Sequence, residues 1–247
     1  MSEPAGDAAA GSAGASAGLA GDAAVLPTVG ETLLVAVCDL APGRTAELLP
    51  APLAPAADQA FVYVVWATLN SDFFPVRGRS FVEANIALPC HGPAGEGTWF
   101  VRAYFPWQDL VRHAVLSGWG GVQAEVEVGR VPAAVQRWVW PPQHPVGGWV
   151  ARDGRREIEL AVHATEPVEL AATPIHKFNV VYGVRTVAGR RNVTLERHVE
   201  DVMHRVHVGS ADLRLAGDAA DVLGWHAVAA GYIVEFGIVH GGTSVVG

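Results

Sequence analysis

Runs rich in β-branched and aromatic residues recur along most of this chain, and several alternate between apolar and polar positions. A period of two places successive side chains on opposite faces of a strand, so these runs predict β-strands. Turn-forming clusters of Gly, Pro and Asp separate the runs, and Asp153-Gly154 is typical of a two-residue hairpin. The predicted strands cover residues 61–67, 99–104, 123–128, 135–140, 157–162 and 201–208.

Two segments instead have the spacing of a helix. One begins at Pro106, which the first helical turn tolerates, continues with apolar residues on one face and stops at Ser117-Gly118. A shorter one covers residues 45–49 and ends at Pro50. Many strands, few helices and no internal repeat predict an α+β fold that is mainly antiparallel β. We expect a β-barrel or paired sheets with a few outer helices.

The composition suits one domain. Of the 247 residues, 50% are hydrophobic and 17% are charged, which is enough to bury a large core. Residues 1–24 are Ala, Gly and Ser with scattered acids, so they predict a disordered Ala/Gly-rich tail rather than a signal peptide. We therefore expect a single domain over residues 25–247. No run of eighteen apolar residues occurs, so no membrane span is predicted.

Charge and cysteine content narrow the choice of partners. A net charge of −8 argues against nucleic acid and anionic membranes, because phosphate binding needs clustered Arg and Lys. The basic runs near Arg152 and Arg190 adjoin Gly or Asp and predict solvated hairpin turns. Cys38 and Cys90 are too few for a disulfide framework and suit a reducing cytosol. The expected partner is a small-molecule substrate, and the expected location is the cytoplasm. The sequence is also compatible with a homo-oligomer.

No metal site and no cofactor are predicted. His198, His204 and His207 lie close along the chain, but His204 and His207 face opposite sides of a predicted strand. That arrangement does not suit a shared metal ion. The sequence also has no Gly-rich phosphate loop after a strand and no Gly-x-Ser-x-Gly turn.

Several segments share an order and spacing with a known family. Residues 80–89 form a strand that carries Glu83 and ends in an apolar-Pro step, and residues 118–128 place a Gly-Trp-Gly-Gly turn before an alternating strand. A Leu-Leu-Pro-x-Pro-Leu turn lies near residue 50, and residues 209–236 resemble closing strands. Together they resemble the acetoacetate decarboxylase-like superfamily. The resemblance implies that residues 25–247 have that family's fold.

One departure from the family's pattern implies that the family's covalent chemistry is absent here. Its catalytic lysine, which forms a Schiff base with a β-keto acid, falls on Gly121 or Val122, and glycine and valine offer no amine. The chain has one lysine, Lys177, which lies far from that turn and has no second lysine beside it. We therefore expect a divergent member that lacks the Schiff-base lysine.

Glu83 stands at the one matched acidic position that keeps its residue type. Glu31 falls where the family has an arginine for the substrate carboxylate, and Tyr63 falls where it has a second glutamate. Because Glu83 adjoins an aromatic residue and an apolar strand, we expect a partly buried general acid or base with a raised pKa. Arg102 on a nearby strand is expected to pair with Glu83 or to bind an oxyanion. The expected catalytic residues are Glu83 and Arg102, and the expected substrate-binding residues are Tyr63, Tyr104, Trp107, Trp119 and His176.

Three functions are compatible with these residues. The leading hypothesis is a lyase- or isomerase-type cyclase of specialised metabolism, acting on a carbonyl-containing, polyketide-type molecule without cofactor or Schiff base. The reaction types are cyclisation, dehydration and isomerisation. The second is decarboxylation of a β-keto acid without an imine, against which Glu31 counts. The third is a non-catalytic protein that binds a hydrophobic metabolite.

Overall fold

β-Strands dominate the chain, as the alternating pattern predicts. The computed structural model describes residues 26–27, 31–68, 80–129 and 144–245. The predicted strand at 135–140 and the predicted tail at 1–24 lie outside these residues. The strands are β1 (Leu26–Pro27), β2 (Glu31–Leu40), β3 (Ala54–Pro55), β4 (Gln59–Thr68), β5 (Ser80–Gly92), β6 (Gly95–Phe105), β7 (Gly121–Gln123), β8 (Glu125–Val128), β9 (Val146–Arg152), β10 (Arg155–Pro167), β11 (Val180–Val187), β12 (Arg190–Leu215) and β13 (His226–Val245).

Helices are few and short in this part of the chain. They are α1 (Arg44–Leu48), α2 (Gln108–Ser117) and α3 (Gly217–Leu223), with 3-10 helices at Leu170–Ala172 and Pro174–Asn179. Helix α2 begins later than predicted because Trp107 is still extended, and it ends at Gly118, whose φ of 88° favours glycine. Helix α1 confirms the short predicted helix, and α3 lies where none is predicted. No helix among the described residues is long and apolar enough to cross a membrane.

The strands form one mixed sheet in the order β1-β13-β2-β4-β5-β6-β11-β12-β10-β9-β8, with β3 added to β5 and β7 to β6. Pairing is antiparallel except where β6 meets β7 and β11. Strand β12 also pairs with β13, which joins the two ends of the series β13-β2-β4-β5-β6-β11-β12. Strands β10, β9 and β8 extend the sheet from the other edge of β12. The prediction of a mainly antiparallel β fold with few helices is confirmed. The arrangement is one mixed sheet.

Two tight hairpins lie at the predicted basic turns. Asp153 and Gly154 have φ values of 52° and 73°, and they join the paired residues Arg152 and Arg155. Positive φ at both central positions is the geometry of a type I′ turn, which matches the twist of antiparallel strands. Ala188-Gly189 joins β11 to β12 in the same way, with φ values of 49° and 77°. The basic residues thus belong to solvated hairpins, as predicted.

The central strands β2, β4, β5 and β6 present two different surfaces, because side chains alternate between faces. We call one surface the aromatic face; it carries Val35, Tyr63, Phe81, Phe100 and Phe105 among its buried residues. Helix α2 packs on this face through apolar residues such as Leu110 and Ala114. The face therefore lies between the sheet and the helix that follows β6.

The other surface of the same strands, the opposite face, is mostly aliphatic. Leu34, Val62 and Ile86 belong to it, and it packs against residues of β9, β10 and α3 such as Val150, Ile158 and Leu223. Its members include many fully buried side chains, so it forms the main structural core. The two faces therefore differ in content: aromatic rings on one side, aliphatic packing on the other.

Candidate functional site

Glu83 lies on β5 in the aromatic face. Alternation along the strand places it on the same side as Phe81 and Ala87, both of which are buried in that face. Val65 of β4 is its cross-strand partner. The side chain is partly buried, as predicted from its apolar neighbours. A carboxyl group thus enters a surface that is otherwise lined by rings and aliphatic groups.

Asn85 supports Glu83 from the next position on the same face. Its Nδ2 atom donates a hydrogen bond of 3.1 Å to Glu83 Oε1. Asn85 is completely buried, and its Oδ1 atom has no hydrogen-bond partner. A buried amide oxygen without a donor costs about 1–3 kcal/mol. The fold thus retains a polar group here at a cost in stability, which is typical of functional positions.

Rings surround this polar pair on both sides. Phe81 lies beside Trp107, with ring centroids 6.1 Å apart. On the Asn85 side, Tyr63 and Phe100 meet edge to face at 6.1 Å, and Phe100 meets Trp119 edge to face at 4.9 Å. These are favourable aromatic geometries. We call these five side chains the aromatic wall: Tyr63, Phe81, Phe100, Trp107 and Trp119.

Trp119 is held in place by its polar edge. Its indole Nε1 donates a hydrogen bond of 3.0 Å to the Tyr182 carbonyl oxygen on β11. The ring is only partly buried, although it contacts buried Phe100. Of the predicted substrate-binding residues, Tyr63, Trp107 and Trp119 are therefore brought together on the face that carries Glu83.

Arg102 lies on the opposite face, so its predicted pairing with Glu83 is wrong. Its guanidinium binds the Asp218 carboxylate through Nε at 2.6 Å and Nη2 at 3.1 Å. This hydrogen bonding lowers the pKa of Asp218 and raises the pKa of Arg102. Arg102 therefore connects β6 to α3 and is not part of the Glu83 site.

A β-bulge explains this difference. Ile86 pairs with Arg102, whereas the next residue, Ala87, pairs with Phe100, so Val101 is an extra residue in β6. One extra residue reverses the side on which all later side chains emerge. Simple alternation from Phe100 would have placed Arg102 on the aromatic face.

Tyr104 moves to the opposite face for the same reason, which corrects its predicted role beside Glu83. It pairs with Ala84 on β5 and with Val122 on β7, and it is fully buried among aliphatic residues. Its hydroxyl has no hydrogen-bond partner. Burial, followed by the negative charge of Glu157, raises the pKa of the Tyr104 phenol above its ordinary value. Tyr104 is thus a neutral core residue.

His176 lies in the 3-10 helix Pro174–Asn179, next to the aromatic face. Its neighbour Ile175 is buried in that face. The His176 Nδ1 atom donates a hydrogen bond to the Thr173 carbonyl oxygen, which fixes the ring so that Nε2 is the remaining nitrogen. The same helix carries Lys177. His176 stays a predicted proton carrier at the border of the site.

The turn that matches the family's lysines is closely packed. A Cβ atom at Gly120 would lie 2.2 Å from the Val101 carbonyl oxygen, and one at Gly121 would lie 2.8 Å from the Val111 carbonyl oxygen. Both contacts are with backbone atoms, so neither position accepts a side chain without backbone movement. Val122 packs on the opposite face. This local geometry leaves no place for a lysine that reaches Glu83.

The two cysteines are not candidate nucleophiles. Cys38 and Cys90 are buried and free, and burial raises the pKa of both thiols to about 12. The thiolate is the reactive form, and at neutral pH it is scarcely populated in such surroundings.

Comparison with solved structures identifies the fold. An acetoacetate decarboxylase-like enzyme from Sphingomonas wittichii RW1 superposes with a TM-score of 0.75 and 20% identity, over 90% of this chain and 92% of that chain. The chain has the acetoacetate decarboxylase-like fold. The enduracididine biosynthesis enzyme MppR complexed with pyruvate matches at a TM-score of 0.72 and 16% identity, over 90% of each chain.

The fold also extends to a decarboxylase itself. Acetoacetate decarboxylase from Legionella pneumophila matches at a TM-score of 0.68 and 10% identity, over 91% of this chain and 88% of that chain. No family model and no curated protein matches the sequence. Identities this low show the fold alone.

Proposed function

We propose that this protein is an acid–base enzyme of specialised metabolism that acts on a carbonyl-containing, polyketide-type small molecule. Glu83 carries the proton, and neither a Schiff base nor a cofactor takes part. The reaction is a cyclisation, dehydration or isomerisation, which corresponds to a lyase- or isomerase-type cyclase. The substrate rests against the aromatic wall.

One observation carries this proposal: the hydrogen bond from buried Asn85 to Glu83, made by an amide whose own oxygen has no partner. A carboxyl group that serves only as a surface charge needs no such support. A general acid or base, in contrast, must keep one orientation and lie in surroundings that shift its pKa. The Asn85 amide orients Glu83 Oε1, and the aromatic wall limits access of water to it.

The reaction steps follow from a single mobile proton. The Glu83 carboxylate removes a proton from the carbon next to the carbonyl, and the C–H electron pair moves into an enolate. Protonated Glu83 then returns the proton to another carbon in an isomerisation, or to a β-hydroxyl that leaves as water in a dehydration. In a cyclisation the enolate carbon attacks a second carbonyl, whose oxygen takes the proton. Positioned proton transfer of this kind contributes about 10²- to 10⁴-fold in rate.

The known structures of this fold support the choice of a carbonyl compound. One MppR structure is a complex with pyruvate, a keto acid, and other structures of the fold are acetoacetate decarboxylases. The present chain differs at the lysine turn, where Gly120 and Gly121 are enclosed by backbone. We therefore propose that this chain also acts on a carbonyl compound, but through an enolate instead of an imine.

Decarboxylation without an imine is the weaker alternative. It would require a cation to hold the substrate carboxylate. Arg102, the arginine predicted for the site, instead binds Asp218 on the opposite face. Glu31 occupies the position at which the family has an arginine.

A test of catalysis uses 2-tetralone, a flat ketone with acidic α-hydrogens. The wild-type protein is expected to accelerate exchange of these hydrogens for solvent deuterium, as followed by NMR. A panel of cyclic 1,3-diketones extends the test to more acidic substrates. Tight binding of these ketones without accelerated exchange would instead support the non-catalytic binding protein.

A second experiment tests the absence of an imine. The protein is incubated with acetoacetate and treated with borohydride, and its mass is measured. We expect no change in mass, because the lysine turn holds Gly121 and Val122. A stable adduct, above all on Lys177, would contradict the proposed mechanism.

A further inference from the structure

We infer that the outer side of helix α2, together with the hairpin between β11 and β12, binds an acidic amphipathic segment of a partner protein. This surface lies outside the candidate site and goes beyond the proposed function. The inner side of α2 packs on the aromatic face, so a partner bound here would contact the helix next to the candidate site. We call the surface the basic patch; it comprises Arg112, Val115, Leu116, Arg185, Val187 and Arg190.

Exposed aliphatic side chains mark the basic patch. Val115 and Leu116 are 56% and 60% exposed on α2, and Val187 is 48% exposed on β11. Arg112 lies three and four positions before the two α2 residues, which places all three side chains on one side of the helix. A single exposed apolar residue needs no explanation, whereas several that adjoin one another often mark an interaction site.

The sheet fixes the last turn of α2 beside the hairpin. Arg185 Nη1 donates a hydrogen bond of 3.0 Å to the Leu116 carbonyl oxygen, and Thr194 Oγ1 donates one of 2.8 Å to the Ser117 carbonyl oxygen. Carbonyl groups at the end of a helix have no partner within the helix, so β11 and β12 supply what the helix itself cannot. The helix and the hairpin thus form one preorganised surface, which loses little freedom when a partner binds.

Strand register makes this surface continuous. A Cβ atom on Gly183 would clash with the Ser117 carbonyl oxygen, so Gly183 faces the end of α2. Alternation along β11 places Arg185 and Val187 on that same face. Arg190 is the cross-strand partner of Val187 and therefore shares its side of the sheet. The basic patch thus runs without interruption from α2 to the hairpin turn.

The local charge is opposite to that of the whole chain. The net charge is −8, yet the sequence has no acidic residue from 110 to 124 or from 170 to 195. Arg112 and Arg190 are exposed, and Asp109 in the first turn of α2 is the nearest acidic residue along that helix. A basic area on an acidic protein attracts an anionic partner and orients it during approach.

Aliphatic residues between the arginines favour a protein over other anionic partners. Single-stranded nucleic acid stacks its bases on aromatic rings, and the basic patch has none. Anionic membranes attract clusters of about four to eight Lys or Arg residues, more than lie here. A second copy that used the same patch across a two-fold axis would bring arginine against arginine. Glutamates on an amphipathic helix would instead pair with the arginines while its apolar stripe covers the aliphatic side chains.

Two labelled peptides test the inference by fluorescence anisotropy on the wild-type protein. Both are helical and carry one stripe of leucine; the remaining positions are mainly glutamate in the first peptide and glutamine in the second. We expect the glutamate peptide to bind at least about tenfold tighter, and its affinity to fall as the salt concentration rises. Equal affinity for the two peptides would overturn recognition by charge. Failure of the glutamate peptide to bind would overturn the inference as a whole.

Two neighbouring arginines locate the binding. Arg190→Glu is expected to weaken the glutamate peptide by about tenfold or more. Arg191→Glu is the matched control, because Arg191 pairs with Thr186 on the other face of the hairpin and its Nη1 donates a hydrogen bond to the Ala51 carbonyl oxygen. That variant changes the same charge in the same turn and should bind like the wild type. An equal effect of the two substitutions would overturn the assignment to this face.

A second pair of variants tests the aliphatic contact. Val187→Thr keeps the shape of the side chain and adds a hydroxyl, which should weaken the glutamate peptide about fivefold when it is covered. Val228→Thr makes the same change at an exposed valine on β13 and should have no effect. Equal affinity of the Val187→Thr protein and the wild type would remove the aliphatic residues from the interface.

The other occupants have distinct outcomes. Sedimentation velocity would identify a second copy if Arg190→Glu dissociated an oligomer that Arg191→Glu left intact, and this result would overturn the partner protein. Tighter binding of a DNA oligonucleotide, or of vesicles that contain phosphatidylserine, than of the glutamate peptide would overturn it as well. Peptide binding requires no turnover, so the inference and the proposed enzyme activity stand or fall separately.

Discussion

Asn85 Nδ2 donates a 3.1 Å hydrogen bond to Glu83 Oε1 across one step of alternation on β5. The two side chains share a face of the strand, and only the amide is completely buried. The carboxyl group is therefore held by a neighbour in the same strand.

Replacing this amide by a carboxylate should make stability depend on pH. In Asn85→Asp two carboxyl groups share a hydrogen-bonding distance, so one of them holds a proton to an unusually high pH. The folded state then binds more protons than the unfolded state, and stability falls as pH rises above about 4. Urea unfolding should show a loss of at least about 2 kcal/mol at pH 8 and a smaller loss at pH 5.

Asn192→Asp is the control for this change, since Asn192 lies on β12 opposite Arg185 and away from Glu83. That variant should keep the pH dependence of the wild-type protein. An Asn85→Asp protein that also keeps it would show that residues 83 and 85 do not interact in solution.

Much of this site was predictable from alternation along one strand. The apolar neighbours of Glu83 predict its partial burial, and the same period of two places Asn85 beside it. Asn85, a polar residue within the apolar run 84–88, is a signal of function for which no role was predicted. Trp119 reaches the site because helix α2 ends at Gly118, as its stop signal predicts, and the chain then returns to β6, whereas Trp107 lies at the start of that helix.

Arg102 and Tyr104 could not be placed in the same way. Their orientation depends on the bulge at Val101, which exists only because Ile86 and Ala87 pair with non-consecutive residues of β6. Pairing between strands is a tertiary property, and one extra residue reverses both predicted side chains. The Asp218 partner is also invisible in the pattern, because it lies 116 positions away on the unpredicted helix α3.

The Arg102–Asp218 pair should support stability but not activity. Its hydrogen bond lowers the pKa of Asp218, so its contribution is present above the ordinary carboxyl pKa and is lost as pH falls below about 4. Asp218→Asn should cost about 1–2 kcal/mol at pH 7, because both side chains are between a quarter and a third exposed. The gap from the wild type should narrow below about pH 4.

Asp212→Asn changes an exposed aspartate on β12 and should leave unfolding nearly unaltered. The exchange rate in 2-tetralone per folded molecule should be unchanged in both variants. A large loss of exchange in Asp218→Asn with normal stability would show that the Arg102–Asp218 pair contributes to catalysis.

Even the smallest side chain should be poorly tolerated at the lysine turn. In Gly121→Ala the new methyl group would lie 2.8 Å from the Val111 carbonyl oxygen and 3.0 Å from Ala114 Cβ. Overpacking of this kind costs about 1–3 kcal/mol, which urea unfolding would measure. In Gly147→Ala the nearest atom is the Leu160 carbonyl oxygen at 3.5 Å, an ordinary contact, so stability should hardly change. Equal stability of the two variants would mean that the turn can accept a side chain.

The exchange rate of Glu83→Gln tests the central claim most directly. The substitution preserves shape and removes the proton carrier, so exchange of the 2-tetralone α-hydrogens should slow by about 10²- to 10⁴-fold. Melting temperature and affinity for 2-tetralone should change little, and Glu159→Gln, an exposed control on β10, should exchange at the wild-type rate. Exchange in Glu83→Gln at the wild-type rate would contradict the assignment of Glu83 as the acid–base group.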